Sequence, residues 1–333
     1  MELAVAALVE YDIPAGVMGA HWDCSKLGLP QRHSFPAWIP PHYPLRNSGD
    51  PPMTALAQPT QPPQWTEAAL KVASFALVAV VWISSAIFGT YILAYYGGAI
   101  PAGTMEQWNA TLPALYEPHT PAASFGMGLH FFAGATLLLL GPIQLIGAVR
   151  RRAPKVHHWI GRLYALAAFS AGVGGLIFIT LKGTVGGRAM TAAFAAYGAL
   201  MILAAVQTVR HAMARRIDIH RAWAIRLFAL AIGSWLYRIG YGLFFAINGT
   251  EDPGHTADFS GWFDHVMNWA FFVPPLIIAE MFIRAQRSRA TTAGRMGASI
   301  ALSLGAAFIA YATFFFTIFG WGPAILMRFG GAA

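Results

Sequence analysis

Charged side chains are scarce in this sequence. They make up 11% of its 333 residues, whereas soluble domains average about 25%. Hydrophobic residues make up 56% of the chain, and its mean hydropathy is +0.52. A water-soluble domain of this length needs far more polar surface than these residues supply. The composition therefore excludes an ordinary soluble protein and favours one whose surface lies largely in lipid.

Several kinds of site are missing as well. The chain has one cysteine, Cys24, which excludes an internal disulfide and a multi-cysteine zinc finger. It has no His-Glu-x-x-His zinc helix, Gly-x-Ser-x-Gly elbow, phosphate-binding loop or dinucleotide fingerprint. Carboxylates are sparse in the apolar runs, where Glu280 is the one that qualifies as an intramembrane acid. An ion pump of the usual carboxylate type is therefore disfavoured.

Long apolar runs fill most of the chain. Seven of them are long enough for a helix to cross a hydrocarbon core of about 30 Å. In lipid only helices and closed barrels satisfy their backbone groups, and these runs lack the two-residue alternation of barrel strands. We therefore predict an all-α, polytopic bundle of about seven transmembrane spans. The runs cover approximately residues 72–95, 127–149, 159–181, 190–209, 222–247, 263–283 and 298–320.

Charge alternates from one connection to the next. Arginine and lysine concentrate after the second, fourth and sixth runs, whereas most acidic residues lie in the other connections. Because positive loops stay in the cytoplasm, we expect the N-terminus inside and the C-terminus outside. The net charge of +8 is then a topology signal and not a nucleic-acid surface. The basic connections contain Arg150, Arg151, Arg152, Lys155, Arg210, Arg215, Arg216, Arg221, Arg284, Arg287, Arg289 and Arg295.

The first part of the chain has a different composition. Residues 1–70 are rich in proline, as in "FPAWIPPHYP" and "QPTQPP", and contain neither a basic start nor an apolar run typical of a signal peptide. Such a segment cannot bury enough surface to fold alone, so we expect a disordered cytoplasmic tail followed by a transmembrane domain over residues 71–333. An alternative expectation is that translation begins at Met53 and that residues 1–52 are an artefact.

Two stretches of the chain echo each other. "VHHWIGRLYALA" begins at Val156 and "IHRAWAIRLFALA" begins at Ile219. A glutamine precedes the histidine of each copy by 13 residues, as Gln144 precedes His157. The echo predicts a weak tandem repeat of a helix hairpin with a basic turn. It would place His157 and His220 at matching depth, at the starts of two parallel helices.

The same residues carry a family resemblance. The order of motifs from Gly126 to Arg287 resembles the bacterial integral-membrane family called domain of unknown function 2306. The resemblance implies a multi-pass protein of the bacterial cytoplasmic membrane, but the family name supplies no activity. His158 departs from the pattern, because it stands where the family usually has arginine. The matching positions are His130, Gly141, Pro142, Gln144, Arg150, His157, Gly161, Arg162, Tyr164, His220, Arg221 and Arg226.

Histidines at the span ends suggest a haem hypothesis. Two lie near each end of the bundle: His130 and His265 outside, and His157 (or His158) and His220 inside. A diheme b-type cytochrome needs such pairs, because each haem iron takes two imidazoles from different helices. Such a protein would carry electrons across the membrane, as a component of a membrane oxidoreductase, with a quinone or a redox partner. Arg162 and Arg226 could bind haem propionates, and Arg238 could bind a propionate, a carbonyl or a lipid phosphate.

Two other functions stay open from the sequence. The histidine and arginine platform could bind an anionic head group in a small transporter or lipid-handling protein. It could instead lock helices together in a scaffold, with Glu280 as the partner of Arg162 and Arg226, because charge within a span is usually paired. Pro274 and Pro275 predict a kink in the sixth span. Broken helices occur in transporters, but one alone, without a counterpart in another repeat, is weak support.

Overall fold

Seven helical spans make up the part of the chain that the structure describes. In this computed structural model that part comprises residues 63–110, 115–287 and 289–329. Seven helical segments within it are long and apolar enough to cross a membrane, and the described residues form no strand. The predicted all-α, seven-span membrane architecture is therefore confirmed. The expectations for the tail before Pro63, including a start at Met53, fall outside the described residues.

Three spans consist of one helix each, and the other four consist of two or more helical segments. The first half of the chain contains α1 (Gln64–Ile92), a π-helical segment (Leu93–Gly97), α2 (Gly98–Ala102), a 3-10 helix (Met105–Ala110), α3 (Pro121–Leu145), α4 (Gly147–Arg152) and α5 (Pro154–Lys182). The second half contains α6 (Gly187–Met213), α7 (Ile217–Ala231), α8 (Gly233–Asn248), α9 (Trp262–Ala270), α10 (Val273–Ala285), α11 (Thr292–Phe319) and α12 (Trp321–Phe329). Spans two, three and four are α3, α5 and α6, span five is α7 with α8, and span six is α9 with α10.

The first helix begins earlier than the composition predicted. The tail was expected to extend to residue 70, but α1 begins at Gln64. The Thr66 side chain is buried and its hydroxyl donates to the Pro63 carbonyl over 2.7 Å. Glu67 pairs with Lys71 one turn later, at 3.0 Å. Because this first turn is polar, it does not register as part of an apolar run.

Consecutive spans pack against each other and close into a ring. α1 packs on α3, α3 on α5, α5 on α6, α6 on α7, α7 on α10, and α10 on α11. α11 then returns to α1 through the most extensive of the helix interfaces. The arginine-rich connections all follow even-numbered spans, so they share one side of the bundle, here called the basic side. The opposite side, here called the acidic side, holds Glu106, Glu117, Glu251, Asp252 and Asp258.

Spans five and six are each broken near the middle. α7 ends at Ala231 and α8 begins at Gly233, so the first break falls at Ile232. α9 ends at Ala270 and α10 begins at Val273, with prolines in its first turn. A proline tolerates the first turn of a helix but cannot continue one, so the prolines explain the second break. The sixth-span interruption therefore has the counterpart that the sequence did not reveal.

Tyr197 of α6 joins the two breaks. Its hydroxyl donates to the Leu230 carbonyl over 2.8 Å and accepts from the backbone of Ser234. In a continuous helix those two backbone groups would bond each other, so the hydroxyl is inserted into the helical ladder. The Tyr197 ring also contacts Phe271 at the second break, with 4.9 Å between ring centres. A side-chain carbon at Gly233 would lie 3.1 Å from the Tyr197 ring, which explains the glycine at this position.

The outward faces of the spans are apolar. Leu166, Leu203 and Phe314 leave 62%, 44% and 65% of their surface uncovered. On a soluble protein, large exposed apolar patches of this kind would drive association. Against acyl chains they need no further cover, because lipid tails are as apolar as leucine. The bundle is therefore surrounded by a lipid bilayer.

Candidate functional site

The two echoed stretches open α5 and α7 with the same local arrangement. In α5 the Arg162 guanidinium lies over the Trp159 ring, 5.1 Å from its centre. In α7 the Arg226 guanidinium lies over Trp223, at 5.0 Å. Residues three apart share one face of a helix, so the shared spacing produces the shared cation–π stack. The predicted repeat is thus visible in side-chain geometry as well as in sequence.

The two arginines have different surroundings. Arg162 is exposed and 68% of the Trp159 surface is uncovered, so this stack faces outward near the basic side. The Arg226 side chain is 24% exposed and reaches α10. Of the two arginines, Arg226 is the one that pairs with Glu280 in the described structure. The stack on α5 is typical of a snorkelling side chain at a membrane interface.

Glu280 connects Arg226 to α10 through a small ion network. Its Oε2 accepts hydrogen bonds from Arg226 Nη2 at 2.6 Å and from Arg226 Nε at 3.2 Å. Its Oε1 accepts from Arg284 Nε at 3.0 Å, one turn along the same helix. Both carboxylate oxygens are therefore engaged by charged donors, which offsets the cost of placing the acid within a span. Two guanidinium groups and one carboxylate leave a net charge of one positive unit.

An apolar groove of about 370 Å³ lies beside this ion network. It is bounded by α6, α7 and α10 and extends to the helix breaks, where Leu230 and Phe272 line it. Two of its lining residues, Leu203 and Ile277, have 44% and 54% of their surface uncovered, so the groove opens towards lipid. Its walls are apolar except at Arg226 and Glu280. The remaining wall includes Leu200, Trp223, Val273 and Leu276.

His157 closes the first hairpin of the repeat. The Gln144 amide of α3, oriented so that both of its ends are satisfied, donates to His157 Nδ1 at 3.0 Å and to the His157 carbonyl at 3.2 Å. Gly161 makes room for this contact, because a side-chain carbon there would lie 3.2 Å from the end of the amide. His158 is exposed. His157 is therefore the histidine that faces the bundle, as the family pattern favoured.

His220 closes the second hairpin in a related way. Its Nδ1 lies 2.9 Å from the Thr208 carbonyl of α6. An imidazole that donates from Nδ1 to a carbonyl keeps the lone pair of its Nε2. His157 lies within electrostatic reach of His220, so the structure brings these two predicted residues to the same region. Gln207, the counterpart of Gln144, leaves its buried Oε1 without a partner among the described residues.

The second predicted histidine pair lies on helices with different neighbours. His130 is on α3, which packs against α1, α5 and α7. His265 is exposed on α9, which packs against α6, α8 and α10. A bis-histidine iron requires two rings on facing helices, and α3 and α9 share no extensive interface. Within the described ranges, no group of three or more His, Cys, Asp or Glu residues could hold a metal ion.

Arg238 belongs to a separate region on the acidic side of the breaks. Its guanidinium lies 5.7 Å from the centre of the Phe88 ring of α1. Tyr91, His130 and Tyr237 lie within its electrostatic reach. The predicted site residues therefore separate into two groups, one on each side of the helix breaks. His130, Arg238 and the exposed His265 are on the acidic side, and the other group contains His157, His220, Arg162, Arg226 and Glu280.

A buried aspartate that was not predicted as a site residue, Asp264, organises the acidic side. Asp264 Oδ1 accepts from the Tyr241 hydroxyl at 2.6 Å and lies 2.8 Å from His255 Nδ1. Its Oδ2 accepts from the backbone of Thr256 and Gly261 at 3.2 and 3.0 Å. The aspartate thereby ties the loop before α9 to α8 and caps α9. An acid three residues into a helix is a readable capping signal, but its histidine partner could not be identified from spacing.

The comparison with protein families confirms the resemblance drawn from the motifs. The family model of domain of unknown function 2306, described as a predicted membrane protein, matches residues 127–283. This region contains both echoed stretches, both helix breaks and the pair of Arg226 and Glu280, whereas α1 and α11 lie outside it. The comparisons with curated proteins and with solved structures found no match.

Proposed function

We propose that this membrane protein binds an anionic amphiphile of the bilayer in the groove between α6, α7 and α10. The observation that carries the proposal is a lipid-facing apolar groove that has one charged end, formed by Arg226 and Glu280. Binding sites for small molecules are usually concave and mostly apolar, with a few polar groups that orient the ligand. The groove has this composition, and its opening towards lipid favours a ligand that already resides in the membrane.

The charge at the end of the groove determines which head group fits. Arg226, Glu280 and Arg284 together carry one net positive charge, which favours a carboxylate or phosphate over an amine. Glu280 engages Nε and Nη2 of Arg226, which leaves Nη1 to donate to a ligand. Trp223 stacks on the same guanidinium and holds its plane in place. The head group would therefore lie towards the basic side and the chain along the leucines of α6 and α10.

A purely structural role explains the ion pair between Arg226 and Glu280 but does not explain the groove beside it. A scaffold needs the ion pair to lock α7 to α10, and the ion pair serves that role whatever fills the groove. Because the groove opens towards lipid, it needs an apolar chain to fill it, since its lining atoms would otherwise lose van der Waals contacts. An acyl or isoprenoid chain restores those contacts. Amphiphile binding therefore explains both the ion pair and the groove.

Photolabelling tests this proposal directly. The full-length protein in lipid nanodiscs would be irradiated with a palmitate analogue that carries a diazirine beside its carboxylate, and labelled peptides would be identified by mass spectrometry. We expect labels on α6, α7 and α10. Arg226→Gln should lower this labelling about tenfold, since a lost charge-assisted hydrogen bond is worth about 1.5 kcal/mol or more. Glu280 keeps Arg284 in this variant, so the fold should persist.

The matched control is Arg162→Gln, which removes an arginine from the equivalent tryptophan stack on an exposed face. It should leave the labelling of the groove unchanged. Equal labelling of the Arg226→Gln variant and the unmodified protein would contradict the proposal and favour the scaffold reading. The same conclusion would follow if the labels spread evenly over all lipid-facing helices.

A b-type haem on the basic side is a second proposal, supported by a different observation. The Nδ1 of His220 is engaged by a carbonyl, which is the usual partner of an iron-ligating imidazole, and His157 lies within its electrostatic reach. A bound haem would supply electron transfer, with a quinone or a redox protein as the partner. Purified protein with haem added should show a reduced α band that His220→Ala abolishes. A colourless preparation would remove this proposal without affecting the first.

A further inference from the structure

The position of Arg238 within the membrane requires an explanation. The residue lies in α8, ten residues before the helix ends at Asn248. At 1.5 Å per residue this is about 15 Å along the helix from its water-facing end. Span five contains 32 residues, so Arg238 falls in the acidic-side half of the hydrocarbon region. A guanidinium at this depth is costly unless a partner or a ligand neutralises it.

Arg238 has no carboxylate partner among the described residues, in contrast to Arg226. Its guanidinium lies over the Phe88 ring at 5.7 Å. The polar groups within its electrostatic reach are two tyrosines and a histidine, Tyr91, Tyr237 and His130. A ring face attracts a cation but does not accept its hydrogen bonds in the way that a carboxylate does. The oxygens of a carboxylate or phosphate would accept from the five donors of this guanidinium.

Two further donors lie one helical turn deeper. Trp235 precedes Arg238 by three residues on α8, so the two side chains share a face. Trp235 is completely buried, and its indole N–H has no partner within the described residues. Ser84 precedes Phe88 by four residues on α1, and its buried hydroxyl likewise has no partner there. A buried polar group without a partner is uncommon and needs an explanation.

Phe88 of α1 and Trp235 of α8 contribute to the same part of the core. α1 and α8 both run from the basic side to the acidic side. Ser84, one turn before Phe88, and Trp235, one turn before Arg238, therefore lie at similar depth. Phe88 and Trp235 belong to one core cluster, to which α1 and α8 both contribute. His130 of α3 lies within reach of the same guanidinium. Arg238 and two buried donors without a partner in the described part of the chain, Trp235 Nε1 and the Ser84 hydroxyl, thus lie on the parts of α8 and α1 that contribute to this cluster.

We propose that Arg238, Trp235 and Ser84 form a second site that binds the carboxylate or phosphate oxygens of an anionic membrane amphiphile, with Arg238 as the ion-pairing residue. Trp235 Nε1 and the Ser84 hydroxyl then donate to the oxygens that lie deeper. The site lies across the helix breaks from the groove at Arg226, and it rests on different residues. A failure of the proposal for the amphiphile-binding groove would therefore leave the proposal for this second site unaffected. Its ligand reaches it from the acidic-side leaflet, because Arg238 lies in that half of the bundle.

The test uses the same diazirine palmitate analogue on the full-length protein in nanodiscs, with the labelled helices as the readout. Binding at this site places labels on α1, α3 and α8, whereas binding in the groove labels α6, α7 and α10. We expect Arg238→Gln to reduce labelling of the first set at least tenfold, and Arg238→Lys to reduce it less. Trp235→Phe should reduce it about threefold. Arg226→Gln is the matched control and should leave the first set unchanged.

Competition separates the sources of the anionic group. Excess phosphatidylglycerol should displace the probe if a phospholipid phosphate is the natural occupant. If a fatty acid is the natural occupant, palmitate should displace the probe and phosphatidylglycerol should not. Displacement by inorganic phosphate alone, at a concentration that matches the palmitate, would overturn the amphiphile assignment. Equal labelling of α1, α3 and α8 in the Arg238→Gln variant and the unmodified protein would overturn the site. If the glutamine variant does not fold, the lysine variant and Trp235→Phe decide.

Discussion

At the scale of single residues, the glycines of the family motif act as contact points between helices. A side-chain carbon at Gly141 would lie 2.9 Å from the Tyr164 ring and 3.2 Å from the Phe228 ring. These residues belong to α3, α5 and α7, so the glycine allows three helices to meet. At Gly141 and Gly161 the space is taken by side chains of neighbouring helices.

We therefore expect Gly141→Ala to destabilise the protein by about 1–3 kcal/mol, the usual cost of overpacking a core. Gly134 is the matched control, because it lies on the same helix and an added carbon there meets nothing within 4 Å. Gly134→Ala should be neutral or stabilise the protein by up to about 1 kcal/mol through helix propensity. The measurement is the melting temperature of both variants in the same detergent. Equal losses in the two variants would contradict the close packing at Gly141.

The sequence predicted which residues would be important but not always which way they face. It identified Arg226 and Glu280, which pair, and it favoured His157 over His158, which is exposed. It could not distinguish Arg226 from Arg162, because both occupy the same place in the echo. The difference arises from the neighbouring helices, since α7 has α10 beside it and the Arg162 face of α5 has lipid. Such a difference depends on tertiary packing and leaves no trace in the local spacing.

At the scale of helices, the paired breaks depend on one inserted hydroxyl. We expect Tyr197→Phe to destabilise the protein by about 1–3 kcal/mol, because Leu230 and Ser234 would keep buried backbone groups without their partner. Tyr164→Phe is the control, since the buried Tyr164 hydroxyl has no partner among the described residues. Removing that hydroxyl should leave stability unchanged or raise it. The check is a thermal melt of both variants, and an equal response would contradict the insertion of Tyr197.

Only the break in span six could be predicted from the sequence. Pro274 and Pro275 predict the interruption of span six, because a proline cannot donate the backbone hydrogen bond of a helix interior. Span five carries no proline, and Gly233 is common enough in membrane helices to be overlooked. Its break depends on Tyr197, which is more than 30 residues away in sequence. The number and order of the spans, in contrast, follow from apolar runs alone and were predicted correctly.

At the scale of the whole molecule, the orientation in the membrane stays a prediction. In a Cys24→Ser background, which removes the only cysteine, we would place a cysteine at Glu251 or at Arg289, both exposed. Expressed in a bacterium, the Glu251→Cys variant should react with a membrane-impermeant maleimide on intact cells. The Arg289→Cys variant should react only after lysis, because basic connections stay in the cytoplasm. The reverse pattern of labelling would mean that the acidic side faces the cytoplasm.

The return of α11 to α1 sets the order in which the molecule is completed. Glu67 lies 4.0 Å from Arg295, and a side-chain carbon at Gly305 would lie 3.6 Å from Leu77, so partners at this seam are 228 residues apart. A ribosome adds about 5–20 residues per second, so α1 waits at least about ten seconds for α11. During that interval lipid, or another membrane protein, occupies the face of α1 that α11 will cover. The interface between α1 and α11 is thus the last interface of the ring to form during synthesis. In a chain arrested before Thr292, the face of α1 that α11 covers would stay exposed.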